Sequence, residues 1–401
     1  MGNGVRFLHI ADAHIGFRVT RFEEGVAKKL REARFQALDN VLRVADDKKV
    51  DFIVISGDLF DDNAVSLRDS QRVYDMLKGR PTPVYVLPGN HDPHCAGSVW
   101  WRHPWDDTSG TSIHVLGSAE AVAVNEGVRL YPCPVTHKTS REDPTGWIGP
   151  RERGEGIRIG IAHGSVMDRA TLPEDDHPIA VDAAEQRQLD YLALGHWHLA
   201  RVYKDAAGAE RMTYPGTVEQ MSFPAQSALT VGWSAYAPAP EREELAGSVE
   251  GQALLVQIAA PGAVPVVERV ECGQYVWLDE TVDLTDDADF AKTFSHIATR
   301  ENPERCLLRL TLQGVLSAAS MVKLDGFRDM LARYMYCDLN LEELYLEPQD
   351  ESVAEVAGHG VVGEVLARMK EVLDSDPSDE TRLRAQRAVL LLYRLAQEVE
   401  T

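Results

Sequence analysis

At 401 residues, 44% hydrophobic and 26% charged, the chain has the composition of an ordinary soluble protein with room for two or three domains. No stretch approaches the roughly 18 uninterrupted apolar residues of a membrane span. Five scattered cysteines (Cys95, Cys133, Cys272, Cys306, Cys337) without a C-x-x-C pair exclude a zinc ribbon or disulfide framework and read as reduced thiols. The net charge of -22 weighs against a broad grip on nucleic acid. Either the substrate is small, or a local basic strip, bound metal ions and a partner supply the positive field.

Val5 to Ala11 alternates and then runs apolar as a strand, ending in Asp12-Ala13-His14. No signal-peptide layout precedes it, and Arg6 stands where a myristoylation motif needs Ser or Thr, so a cytoplasmic location is expected. Apolar positions at Leu30, Ala33, Ala37, Leu38, Val41, Leu42 and Val44 predict a helix, and Phe52 to Ile55 is the next strand, a βαβ opening. That strand runs into Ser-Gly-Asp-Leu-Phe-Asp-Asp, residues 56 to 62, which presents Asp58 at its carboxyl end. A helix near Leu67 to Leu77 leads to a third strand, Val84 to Leu87, which ends in Gly89-Asn90-His91-Asp92.

Shorter strands are expected between 112 and 135, with a polar loop over 136 to 156. Ile157 to Ala162 is a strand ending in His163-Gly164. A helix near Val181 to Leu189 precedes the strand Tyr191 to Leu194, which ends in Gly195-His196-Trp197-His198. Strand pieces at 202–203 and 212–214 follow, then a surface linker over 237 to 251 and a hairpin from 253 to 270. Beyond Trp277 come an acidic segment, a strand near 307–312, a helix near 324–334 and a strand near 341–346. Amphipathic helical patterns span about 352–373 and 381–399. Residues 275 to 401 hold 25 Asp and Glu against 13 Lys and Arg, so this last third is the more acidic part.

Strand ends therefore deliver Asp12, His14, Asp58, Asn90, His163, His196 and His198. Any one of these polar residues is unremarkable in a turn. Five turns of this kind in succession, each behind an apolar strand, point to a shared site. Carboxylate, imidazole and amide oxygen form a ligand set suited to Mn²⁺, Fe or Zn²⁺ and poorly suited to a thiolate centre. One Asp shared by two ions would let them neutralise the charge that develops in phosphoryl transfer.

Asp12-x-His14, Gly57-Asp58-x-x-Asp61, Gly89-Asn90-His91-Asp92, His163-Gly164 and Gly195-His196-x-His198 together resemble the five signature motifs of the calcineurin-like metallophosphoesterases. The resemblance covers roughly residues 5 to 220. Asp-Leu-Phe-Asp, Asn-His-Asp-Pro and Tyr-Pro-Gly-Thr, with a small domain and a helical tail after the core, further resemble the SbcD-type DNA repair exonucleases and their shorter YhaO-like branch. The resemblance implies an α/β fold, a four-layer αββα metallophosphoesterase sandwich over 1–275, with a small α+β capping domain over 276–350 and a helical tail over 351–401. Its implied activity is hydrolysis of DNA phosphodiesters, exonucleolytic and also endonucleolytic, with two divalent ions, Mn²⁺ first among them.

Carried over by position, the resemblance implies one ion on Asp12, His14, Asp58 and His198, and a second on Asp58, Asn90, His163 and His196. His91 matches the histidine that serves the leaving oxygen rather than a metal. Asp61 is expected to fix the His91 tautomer, and Asp92 to cap its turn or support the site. Implied partners are DNA, an SbcC-like SMC-type ATPase docked on the tail, and a second copy in a homodimer.

Several features keep two readings. Arg18, Arg21, Lys28, Lys29 and Arg31 are candidate phosphate contacts, Arg18 and Arg21 first, or a solvated helix face among Glu23, Glu24 and Glu32. Trp100, Trp101 and Trp105 either stack on an unpaired base or pack in the core. His94 and His103 rim the same turn. The tail stripes Val353, Val356, Val365, Leu366, Met369 and Leu383, Leu390, Leu391, Tyr393, Leu395 either pack within the chain or dock the ATPase. Rival functions are an esterase acting on a small nucleotide or phosphoprotein, and a non-catalytic DNA-end scaffold.

Overall fold

A computed structural model describes residues 4–168, 173, 175–223, 251–284, 286–346 and 361–375, and 381, 384, 385, 388 and 389 singly. The chain divides into two compact units, Met1–Met221 with Tyr236–Val276, and Ser222–Ala235 with Trp277–Thr401. Among the described residues no helix is long and apolar enough to cross a membrane.

The first unit opens with β1 (Val5–Ile10), α1 (Glu24–Lys48), β2 (Phe52–Ser56), α2 (Leu67–Leu77), β3 (Val84–Leu87) and β4 (Ile113–Val115). It continues with β5 (Val122–Asn125), β6 (Val128–Cys133), β7 (Ile157–His163), α3 (Ala183–Gln186), β8 (Tyr191–Gly195), β9 (Arg201–Lys204) and β10 (Glu210–Tyr214). The hairpin β11 (Gln252–Ile258) and β12 (Val266–Glu271) completes it. Two six-stranded sheets result, in the orders β12-β11-β1-β2-β3-β4 and β5-β6-β7-β8-β10-β9. Strands β1 to β4 are mutually parallel, as are β6, β7 and β8.

Side chains alternate across each strand, and the alternation sorts the layers. Phe7, Phe52, Val54 and Tyr85 face Leu130, Ile159, Ile161, Tyr191 and Ala193 between the sheets. Leu8, Ile10, Ile53 and Ile55 point the other way, onto Leu38, Val41 and Leu42 of α1 and Val73 and Leu77 of α2. On the far side, Leu192, Leu194 and Met212 pack against Ala183 and Ala184 of α3. The order is helix, sheet, sheet, helix, the αββα sandwich. Helix α2 starts at Ser66, whose hydroxyl accepts the Asp69 N–H at 3.1 Å, and α1 stops at Lys49, which turns left-handed with φ 51°. The helix expected over 181–189 shrinks to the four residues of α3, bounded by Asp182 and by Gln188 at φ 51°.

Buried polar residues interrupt the seam between the sheets, His9 among them. His9 is fully buried and lies within 3.2 Å of the Tyr191 hydroxyl, the Ser56 hydroxyl and the Leu194 carbonyl. Burial drives its pKa down from 6.5 to about 3, opposed in part by the Leu194 bond. The folded chain holds His9 neutral, whereas the unfolded chain takes up a proton as pH falls below 6.5. This contribution to stability is therefore complete above pH 6.5 and is lost as pH falls towards 3. Between pH 7 and 4.5 the His9 share of the loss is expected to be about 2.5 kcal/mol. Urea unfolding of wild type and His9→Gln at both pH values checks it: the variant should lose less stability on acidification, and equal losses would refute a neutral buried His9.

The second unit contains β13 (Val276–Leu284), α4 (Asp287–Ala298), β14 (Cys306–Leu316), α5 (Ala318–Val322), α6 (Leu324–Leu331), β15 (Tyr336–Asn340), β16 (Leu344–Leu346) and α7 (Val361–Asp374). Strand β14 is central, with β13 on one side and β15 and β16 parallel to it. Leu284, Phe290, Ile297, Leu308, Leu310 and Phe327 form its core. The acidic segment conceals a strand and a helix: Asp286 caps α4 by accepting the N–H groups of Ala288 and Asp289 at 2.8 and 2.9 Å. Asp287 and Asp289 then lie at the positive end of the helix dipole. Val365 and Met369 lie on α7, half-buried. The linker 237–250 and the tail-stripe residues Val353, Val356, Leu383, Leu390, Leu391, Tyr393 and Leu395 lie outside the described residues.

Candidate metal centre

Strands β1, β2 and β3 of one sheet and β7 and β8 of the other end in five turns that interlock through their backbones. Asp12 N–H donates to Gly57 O at 3.1 Å, His14 N–H to Asp58 O at 3.0 Å, and Ile15 N–H to Leu59 O at 3.0 Å. Asp92 is wholly buried and clamps the third turn to the second, accepting Gly89 N–H at 2.7 Å and Phe60 N–H at 2.9 Å. The fifth turn closes on the first, where the Asp12 carboxylate accepts His196 N–H at 3.1 Å. Four residues sit at positive φ, Asp12 at 53°, His14 at 44°, Asp58 at 52° and His196 at 112°. Side chains avoid this region, so the surrounding structure must hold each turn in place.

The side chains gather into two overlapping sets. In the first, His14 Nε2 lies 3.1 Å from His198 Nε2 and 3.7 Å from Asp58 Oδ2. In the second, Asn90 Oδ1 lies 2.8 Å from His163 Nε2 and 3.0 Å from His196 Nδ1, while Asp58 Oδ2 is 3.3 Å from His163 Nε2. Asp58 stands between them. Donor atoms of Asp12, His14 and His198, of His14, Asp58 and His91, and of Asp12, Asp58 and His163 each fall within 4.8 Å of one another. Gly89 allows this approach, since a Cβ there would overlap the Asp58 carboxylate.

The ring nitrogens facing away from the cluster are occupied. His163 Nδ1 donates to Ser56 O at 2.9 Å and His14 Nδ1 to Asp61 Oδ1 at 3.2 Å, so both rings turn Nε2 towards the cluster. Burial raises the Asp12 pKa to about 8, and the Asp58 charge adds to the rise. Burial opposes ionisation of Asp58 too, but His163 and His14 hold it well below the carboxylate range. Burial would lower His163, yet the Asp58 charge and hydrogen bond raise it to about 9. His198 falls to about 3 through burial and the neighbouring His14. Two buried carboxylates and four inward imidazole nitrogens make a site whose charge balance and donor chemistry fit divalent cations.

His91 differs from the seven. It is exposed, its N–H donates to Asp58 Oδ1 at 2.9 Å, and its ring stands edge-on to His14 with centroids 4.7 Å apart. The expected pairing of the Asp61 carboxylate with His91 is replaced by another. Asp61 Oδ1 lies 3.9 Å from His91 Nδ1, whereas the Asp61 carbonyl accepts from that nitrogen at 2.8 Å. The physical reason is local: Asp61 N–H donates to Ile15 O at 3.1 Å, which lays this turn along the first and sends its carboxylate to His14.

Arg18 and Arg21 are exposed in the loop that leaves the first turn. Arg34, which no motif marks, is buried instead, with Nη1 3.4 Å from Ala13 O and its guanidinium over the Phe17 ring. Its only sequence signal is a charge on the apolar stripe of α1. The tryptophans separate: Trp100 and Trp105 pack around Phe60, while Trp101 is 60% exposed and tilts against His94. A second unmarked residue, Asp176, lies 2.9 Å from His196 Nε2.

Residues 5–200 match the family model of the calcineurin-like phosphoesterases. The chain is 27% identical over 226 residues to the uncharacterized metallophosphoesterase YhaO of Bacillus subtilis strain 168, which covers 53% of this chain and 53% of that protein. It is 26% identical over 225 residues to the DNA double-strand break repair protein Mre11 of Methanosarcina mazei, over 55% of this chain and 34% of that protein. The matches thus span about half the length of the one relative and a third of the other. Among solved structures, TT1561 of Thermus thermophilus aligns with a TM-score of 0.34 at 11% identity, over 53% of this chain and 90% of that one. The stretch that matches the calcineurin-like phosphoesterases, residues 5–200, contains all five turns that build the cluster.

Proposed function

We propose that the chain is a metal-dependent DNA nuclease of the SbcD type, in the YhaO-like branch, cleaving phosphodiesters in repair or end processing. The proposal includes Mn²⁺ as its ion, an SbcC-like SMC-type ATPase as its partner, and a cytoplasmic location. The observation that carries phosphoester hydrolysis is a seven-residue cluster with one exposed imidazole, His91, held at its edge. DNA as substrate is supported by the similarity to Mre11 and by the exposed cations Arg18 and Arg21.

Two divalent ions, when bound, supply Lewis acidity at the phosphoryl oxygens and lower the pKa of water. Asp12, His14, Asp58 and His198 would hold one, and Asp58, Asn90, His163 and His196 the other. The Asp61 carbonyl fixes the Nδ1–H of His91, so Nε2 is the nitrogen that, in the imidazolium form, hands its proton to the leaving oxygen and leaves the ring neutral. Arg18 and Arg21 would contact phosphates away from the scissile bond.

The net charge of -22 favours a second reading, a phosphodiesterase for a small nucleotide. Incubation of end-labelled linear and hairpin DNA with the purified chain and Mn²⁺ separates the two, with Asp58→Ala as the blank. Shortening absent from the blank is the expected result. Intact DNA both with and without the ATPase, from protein that carries two ions and turns over a cyclic nucleotide, would establish the small-substrate reading.

A further inference from the structure

The loop facing the ends of β7 and β8 contributes a side chain that no motif assigns. Asp176 Oδ2 lies 2.9 Å from His196 Nε2 and 2.5 Å from the Ser165 hydroxyl. The other nitrogen of the same ring, Nδ1, lies 3.0 Å from Asn90 Oδ1, on the cluster side. A neutral imidazole carries one N–H, and an ionised carboxylate only accepts. The proton therefore faces Asp176, and Nδ1 keeps a lone pair aimed at the cluster. We propose that Asp176 is the positioning residue for His196, selecting the tautomer in which Nδ1 ligates the second divalent ion and holding the ring at that angle.

Asp176 is itself held in place. The Ser165 hydroxyl donates to its carboxylate and accepts Trp197 Nε1–H at 3.2 Å, while Ser165 N–H donates to Asp176 O at 3.1 Å. Ser165 follows His163 by two positions and Trp197 follows His196 by one, so one relay reaches both imidazoles expected at that ion. Gly164 lets the loop approach, because a Cβ there would overlap the His177 carbonyl. His163 and His14 have their own partners, Ser56 O and Asp61, so among these three rings Asp176 acts on His196. Removing a partner of this kind typically weakens metal binding by about 10- to 100-fold.

The inference rests on the metal-centre reading and not on DNA as the substrate. It is tested by calorimetric titration of metal-free protein with Mn²⁺ alone. Wild type is expected to bind two ions, and Asp176→Ala to bind one as wild type does and the second about 10- to 100-fold more weakly. Ser165→Ala, which keeps the carboxylate, should weaken the second ion less than Asp176→Ala does. If Asp176→Ala does not melt cooperatively, Asp176→Asn carries the measurement, since a neutral amide oxygen accepts more weakly. Two ions at wild-type affinity in the variant, or equal weakening of both, overturns the assignment. Because binding is read directly, selective loss of one ion supports Asp176 even in a chain that leaves DNA intact. A wild type that binds no Mn²⁺ overturns this inference together with the metal centre.

Discussion

Asp58→Ala is expected to bind neither ion at Mn²⁺ concentrations that saturate wild type, and to lose hydrolysis by at least about 10⁴-fold. The size follows from position. Its Oδ2 lies 3.3 Å from His163 Nε2 and 3.7 Å from His14 Nε2, so one carboxylate serves both histidine sets. Without it, each set keeps neutral imidazoles, and Asp12 alone supplies negative charge. Asp58→Asn preserves an oxygen for the His91 N–H and so separates charge from shape; it too should lose both ions. Metal content after dialysis, read beside thermal melting of the metal-free protein, is the check. Retention of one tightly held ion would show that Asp58 belongs to a single site.

His91→Gln is expected to keep two ions and lose about 10² to 10⁴ in kcat. The ring is exposed while its Nδ1 is committed to the Asp61 carbonyl, so its Nε2 is free to exchange a proton. If it delivers that proton to the leaving oxygen, a substrate with a good leaving group such as p-nitrophenolate should suffer far less from the substitution than an alkyl diester. A competing arrangement exists, because His91 also lies within reach of His14 and Asp58 as a third donor. Loss of one ion in His91→Gln would assign the ring to the metal and remove it from proton transfer.

What the sequence conveys about this fold depends on periodicity. The strands Phe52–Ser56, Val84–Leu87 and Tyr191–Gly195 are short apolar runs that stop at a polar residue, and the stop itself is the site. Asp176 lies in a stretch with no period, next to a second aspartate, and nothing in the order of residues says which carboxylate reaches His196. Asp61 posed a related difficulty. Two histidines compete for it, and only the backbone bond to Ile15 decides that His14 receives the carboxylate. Helix α4 was obscured because its first turn is acidic; the signal was the cap, Asp286 followed by Asp287 and Asp289, rather than the stripe. Composition could not separate Trp100 and Trp105 from Trp101, since the same residue type packs on Phe60 in one case and faces solvent in the other.

The left-handed backbone at Asp12, His14, Asp58 and His196 sets the direction in which this protein drifts under selection. Each such residue holds a conformation that glycine adopts freely and that costs an L-residue about 1 kcal/mol. Folding would therefore be served by the very substitutions that empty the cluster. A library screened only for heat resistance should accumulate glycine at these turns, and its most robust members would be the least able to hydrolyse anything. Improving this chain without disarming it requires a selection that reads metal occupancy alongside survival.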